Sequence, residues 1–269
     1  MPLFALALAL GSAVLHAVWN LLLGRARDIQ AATAATFLLS VAIALPFAVA
    51  WWHADSSVWP WALASTLLET VYVLVLAASY KLTDVSVAYP LSRGLAPVIV
   101  LGVSVLALSH HATPNELAGV VIIGVGATMV RSSSLDFHGR ALLLAVTLAA
   151  TIASYTMVDR VGIQHAGALT YFVLTLAGPC LIYPPLVGFR SIRRAIDGAI
   201  GIAALANLGS FTLGLLALRH ASAASVLAVR SSSVVIATVL AGRVLSEHVS
   251  RGRLAGSVLV FAGIALLAA

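Results

Sequence analysis

His16, Trp19 and Asn20 stand at i, i+3 and i+4. On a helix that spacing puts a titratable ring, an indole donor and an amide on one face. Two arginines, Arg93 and Arg230, are embedded in apolar runs. A guanidinium in such a place can hold a carboxylate or another anionic group. Arg93 lies between Pro90 and Pro97. Each proline removes a backbone donor, so this stretch predicts a locally broken helix with freed carbonyls beside the arginine. Arg230 is followed by Ser231, Ser232 and Ser233. Glu69 is the one carboxylate read in the middle of an apolar run, with Tyr72 one turn on and on the same face. A carboxyl there is a candidate proton carrier. At a shift of 136, Trp19 and Asn20 meet Tyr155 and Thr156, again an aromatic followed by a polar residue.

Each of these residues also has a plainer reading. Charged groups at a bilayer centre cost about 2.5–3.5 kcal/mol on insertion scales, so they turn towards a bundle interior or a wet cavity. Glu69 could be protonated and hydrogen-bonded to a neighbouring helix. Arg93 and Arg230 could snorkel to the membrane surface. Trp19 and Asn20 could mark the membrane edge beside Arg25, whereas His16 lies deeper. Asn207, alone in its run, reads as a packing amide that could also reach a solute. Asp159 and Arg160 read as interfacial and structural. His110 and His111 are adjacent, lack the i, i+4 spacing of a helical metal pair and read as a solvated loop. No metal or other cofactor is expected.

The elements that must position these groups follow from composition. Of 269 residues, 61% are hydrophobic and 9% charged, against about 25% charged in soluble domains. Mean hydropathy is +1.07. So few charges cannot make a water-facing surface, so the surrounding solvent is lipid. The net charge of +6 sits in short clusters between apolar runs. That is a membrane-orientation pattern and excludes a nucleic-acid stripe. The lone cysteine, Cys180, excludes an internal disulfide and a thiolate metal site. The first apolar run has no basic start and is as long as a bilayer is thick, so it reads as a retained span.

Apolar runs fall at 3–23, 31–50, 60–80, 86–108, 115–130, 140–158, 168–187, 198–218, 223–242 and 253–268. Runs this long in lipid must be helices. Residues 93–130 and 230–267 match without gaps at a shift of 137, with eleven of thirty-eight positions identical. The matches include Arg93/Arg230, His111/His248, Gly119/Gly256 and Gly126/Gly263. A shift near half the chain length makes this a tandem duplication, with halves at 1–134 and 137–269. The seven-residue glycine spacing predicts close packing of the fifth and tenth spans. Five spans per half is an odd number, so the second half is inverted. Breaks after odd-numbered spans, counted to the first residue of the next span, hold eleven Lys and Arg, and those after even-numbered spans hold two. Positive-inside ordering therefore places both termini outside. Trp51, Trp52, Trp59 and Trp61 crowd a break without Lys or Arg, as an interfacial aromatic belt does.

Three stretches resemble the EamA family of the drug/metabolite transporter superfamily. They are His16-Ala17-Val18-Trp19-Asn20, Tyr89-Pro90-Leu91-Ser92-Arg93-Gly94-Leu95-Ala96-Pro97 and Ala153-Ser154-Tyr155-Thr156-Met157-Val158-Asp159. The Leu-Ser-Glu-His run at 245–248 is similar to the family's second-repeat ending. The resemblance covers the whole chain. It implies an all-α membrane protein of ten transmembrane helices, as two inverted five-helix repeats around a central cavity. It also implies export of small metabolites, and a cavity face holding His16, Trp19, Asn20, Tyr89, Arg93, Tyr155 and Arg230. Members are commonly described with both termini cytoplasmic, whereas the charge tally here argues the reverse.

The expectation is a secondary transporter in the plasma membrane, the inner membrane of a bacterium. It exports small polar or amphipathic solutes, amino-acid-like or drug-like, by alternating access, with protons as a coupling ion through Glu69 or His16. Expected solute-binding residues are His16, Trp19, Asn20, Glu69, Tyr72, Tyr89, Arg93, Tyr155, Asn207 and Arg230. The expected partners are the solute, the lipid bilayer and protons, without nucleic acid, in a monomer or weak homodimer. No glycine-rich phosphate loop ending in Gly-Lys-Ser/Thr is present, so a gradient must supply the energy. The rival reading is an enzyme, an integral-membrane phosphatase acting on a lipid pyrophosphate. It would need carboxylates clustered beside an arginine.

Overall fold

The computed structural model describes residues 1–82, 85–107, 113–130, 139–234, 236 and 251–268. Nearly all of them are helical. The helices are α1 (Leu3–Gly24), α2 (Ile29–Ala50), α3 (Val58–Leu82), α4 (Val85–Ala107), α5 (Pro114–Val130) and α6 (Gly139–Gly162). A 3-10 turn at Ile163–His165 leads to α7 (Ala168–Val187), the short α8 (Phe189–Ala195), α9 (Gly198–His220), α10 (Ala223–Arg230) and α11 (Arg251–Ala268). Among the described residues, six segments are long and apolar enough to cross a membrane: Leu3–Gly24, Ile29–Ala50, Val58–Ser79, Leu143–His165, Ala168–Val187 and Gly198–His220. Shorter apolar segments at Ser92–Val103 and Leu254–Gly263 belong to α4 and α11.

Side-chain size decides which faces meet. On α1, Ala5, Ala9, Ala13 and Ala17 repeat every fourth residue and are fully buried. That small-residue stripe lets the α9 backbone come close. Ser12 and Ser210 tie the same pair reciprocally, each hydroxyl donating to the other's carbonyl at 2.6 and 2.9 Å. Large apolar side chains such as Leu3, Leu106 and Leu181 face outward, where lipid rather than water receives them. Short connections are stopped by caps. Asp28, Asp197 and Ser222 accept from the backbone N–H groups of Ala31, Ile200 and Ser225. Gly188, at φ 93°, ends α7 in a conformation open to glycine and turns the chain into α8.

The helix pairings have a two-fold pattern. α1 packs on α9 as α6 packs on α3, and α2–α9 matches α7–α3. α2 meets its counterpart α7, and α5 meets its counterpart α11. At the last contact the two glycine pairs cross. A Cβ on Gly126 would lie 2.7 Å from the Gly256 carbonyl, and one on Gly263 would lie 2.6 Å from the Gly119 carbonyl. Here the two helices touch backbone to backbone, as the glycine spacing predicts. This pairing fits an inverted repeat.

The helix break falls elsewhere than expected. α4 runs unbroken through Pro90 and Pro97. A proline removes one hydrogen bond, and neighbouring hydroxyls in lipid can re-satisfy the carbonyl it frees. Pro97 frees the carbonyl of Arg93, and the Ser231 hydroxyl, from the other repeat, donates to it at 3.3 Å. The interruption lies in the equivalent run instead, where α10 ends at Arg230. There the amides of Ser232 and Val234 bond three residues back, at 3.1 and 3.0 Å, tightening the chain into a turn.

Candidate functional site

Groups from both repeats converge on a cavity of about 30 Å³. α1 brings His16 and Trp19, α3 brings Glu69 and Tyr72, and α4 brings Arg93. From the second repeat, α6 supplies Tyr155, Thr156 and Asp159, α9 supplies Asn207 and Ser210, and α10 supplies Arg230. Phe37, Leu176, Phe211, Leu215 and Leu218 complete the wall. Space for a water needs roughly 10–15 Å³ on this measure. This conformation therefore has room for a water or two and is closed around its polar groups.

The charged members are deeply buried. Arg93 is 2% exposed, Glu69 4% and Asp159 2%. Neither arginine snorkels. Gly214 on α9 makes room for the Arg230 guanidinium, which a Cβ there would meet at 3.1 Å. The Arg93 Nη2 lies 2.7 Å from His16 Nε2, and the Trp19 indole donates to His16 Nδ1 at 3.1 Å. Both facing groups are donors only, and a neutral imidazole has a single lone pair. Only one of the two contacts can be a true hydrogen bond at a time. His16 and Trp19 also meet edge to face at 5.2 Å, as do Tyr72 and Tyr155 at 5.9 Å.

Eight of the ten residues expected to bind solute are brought together here: His16, Trp19, Glu69, Tyr72, Arg93, Tyr155, Asn207 and Arg230. Asn20 is not in the wall. Its amide donates to the His16 carbonyl of its own helix at 2.7 Å. The side chain of Tyr89 lies outside the described residues, as do His110, His111 and the Leu-Ser-Glu-His run at 245–248. Asn207 combines both readings, lining the cavity while donating to the Ser40 hydroxyl at 3.2 Å.

Asp159 corrects the sequence reading. It is neither interfacial nor remote, because α6 continues to Gly162 and carries it inside. Its Oδ1 accepts from the Ser65 hydroxyl at 2.6 Å. Glu69 is thus not the sole buried carboxylate. The signal was available, since Asp159 is four residues after Tyr155 and shares its helix face. Arg160, directly after it, made the pair look like a helix end.

A buried cavity lined by two arginines and two carboxylates lies between two matching helical repeats of a chain rich in membrane-length apolar helices. The chain belongs to the EamA-like transporter family, whose profile matches residues 3–132 and again 139–269. Members of that family are transporters, which leaves the membrane phosphatase without support. No curated protein matches the chain. Among solved structures, one titled only as the crystal structure of a protein is similar in fold. It has a TM-score of 0.73 at 16% identity, over 98% of this chain and 96% of the other.

Proposed function

We propose that the protein is a secondary transporter that exports a small polar or amphipathic solute across the plasma membrane by alternating access. The observation that carries this reading is the cavity itself. Arg93, Arg230, Glu69 and Asp159 approach it from four helices in both repeats. Two cationic and two acidic groups suit a solute bearing both charges, an amino acid or an amphipathic drug-like zwitterion. The crowded lone pair of His16 points the same way. A solute carboxylate arriving at Arg93 adds an acceptor for its guanidinium and leaves His16 to Trp19.

The transmembrane unit is ten helices in two inverted halves, 1–134 and 137–269, with both termini outside. The helix positions and the exchange of pairings between α1–α9 and α3–α6 support the inverted halves, and the Lys/Arg tally supports the orientation. One chain supplies both walls of the cavity, so a monomer suffices. Glu69 is the proposed proton carrier. As a neutral acid it balances nothing; as a carboxylate it offsets one arginine, so proton loss and solute movement are coupled through charge.

Purified protein in liposomes tests this. Zwitterionic amino acids and organic anions should show saturable counterflow, and an imposed pH gradient should drive accumulation. Flux that rises linearly with concentration would mean a channel. Flux and pH dependence unchanged in Glu69→Gln would remove Glu69 from the coupling scheme.

A further inference from the structure

One end of the molecule is tied shut between the repeats, at residues outside the helices. Residues 51–57, which join α2 to α3, lie against residues 163–167, which join α6 to α7. Ala54 and Ala166 pair as an isolated antiparallel bridge. The Asp55 amide donates to the His165 carbonyl at 3.0 Å, and the Gly167 amide donates to the His53 carbonyl at 2.7 Å. Asp55 Oδ2 lies 3.2 Å from His165 Nδ1. The last turn of α9 adds a clamp, in which Arg219 donates to the carbonyls of Ile163 and Ala166.

Beneath this tie, α3 and α6 run side by side to the cavity, closed by two further contacts in order. First comes the Ser65–Asp159 hydrogen bond, then the Tyr72–Tyr155 ring pair. Both Asp159 and Tyr155 line the cavity. The seam therefore leads from the tied end directly to the buried carboxylates. The tie joins opposite repeats through two backbone hydrogen bonds and one exposed ion pair, and Arg219 braces the 163–167 side of it from within the second repeat. Parting the tie uncovers the buried Val58, Ile163 and Ala166, whereas parting α5 from α11 would break a backbone-to-backbone contact.

We propose that the 54/166 bridge, with Asp55, His165 and Arg219, is a latch that gates the cavity on its Lys/Arg-poor face. The α3/α6 seam is the path a solute takes there. The inference rests on the transport reading, so its test includes an arm that needs no solute. In a Cys180→Ser background, Thr156→Cys places a thiol on the cavity wall. An impermeant maleimide added from the latch face labels it slowly. Adding Asp55→Ala and Arg219→Ala should speed that labelling severalfold and leave labelling from the opposite face no faster. An unchanged rate in folded, monodisperse protein overturns the latch.

The second arm locks it. A Cβ on Gly167 would lie 3.6 Å from that of His53, within the disulfide range of about 3.5–4.5 Å. In His53→Cys/Gly167→Cys protein, again with Cys180→Ser, oxidation should abolish solute counterflow and a reductant should restore it. Counterflow that persists with the disulfide formed overturns the latch. If reduced protein and wild type both move no solute, the transport reading fails, and the labelling arm alone decides the latch.

Discussion

At the residue scale the site is a problem in charge balance. Arg93 and Arg230 sit at matching places in the two repeats, 137 positions apart, whereas Glu69 and Asp159 have Ala206 and Leu22 as their counterparts at the same shift. The cationic feature is symmetric between the repeats and the acidic feature is not. Truncating one partner of a buried, hydrogen-bonded charge pair costs about 2–5 kcal/mol, on the order of thirtyfold or more in affinity. Arg93→Ala should therefore lose solute binding by at least that factor while inserting normally, as measured by equilibrium binding on protein of unchanged membrane yield. Wild-type uptake by that variant would refute a solute role. Outside the membrane, Asp55 has its carboxyl held below the usual carboxylate range, first by the Ser57 amide and then by His165. A depressed carboxylate stabilises the latch above the usual range and loses that effect as pH falls through its lowered value. Relative to Asp55→Asn at the same pH, cavity labelling from the latch face should be slower above that value and should rise to match the variant below it, and a ratio that stays flat with pH would contradict the ion pair's role. His16, Glu69 and Arg93 were legible because lipid penalises charge. Asp159 carried a signal too, four residues after Tyr155 on the same face, but the sequence does not show that the helix continues past it and Arg160 to Gly162.

At the element scale nine of the apolar runs match helices to within four residues at each end, and the ninth run, 223–242, is cut at Arg230. The break was not legible. Two prolines in α4 looked decisive, yet the helix absorbs them because Ser231 reaches the carbonyl that Pro97 frees. The triple serine after Arg230, with no proline, marks the real interruption. Such a swap depends on which helix stands opposite, and sequence does not record that. The glycine spacing on α5 and α11 was legible because close approach needs small residues at a fixed register. Gly126→Leu should push the helices apart, since even a methyl group would meet backbone at 2.7 Å. Overpacking of this kind costs roughly 1–3 kcal/mol. The melting temperature in detergent should fall, and Gly263→Leu should lower it similarly. A Gly126→Leu protein as stable as wild type would contradict the backbone-to-backbone contact.

At the scale of the whole molecule, a duplicated scaffold carries an unduplicated site. The pairings exchange between repeats, which suits the alternating access proposed above. The acidic groups on α3 and α6 make one seam differ from its counterpart between α1 and α9. The latch stands over the acidic seam. In the proposed topology both termini share one side, which the Lys/Arg tally assigns to the outside. A reporter fused after Ala269 should accordingly be inactive in the cytoplasm, and cytoplasmic activity would reverse the orientation. The central claim is that one buried cavity opens to each side in turn. Thr156→Cys in a Cys180→Ser background tests it most directly, by impermeant maleimide labelling of right-side-out and inverted vesicles. The account predicts labelling from both faces, with a transported solute changing the two rates in opposite directions. Labelling from one face only, under every condition, would contradict it.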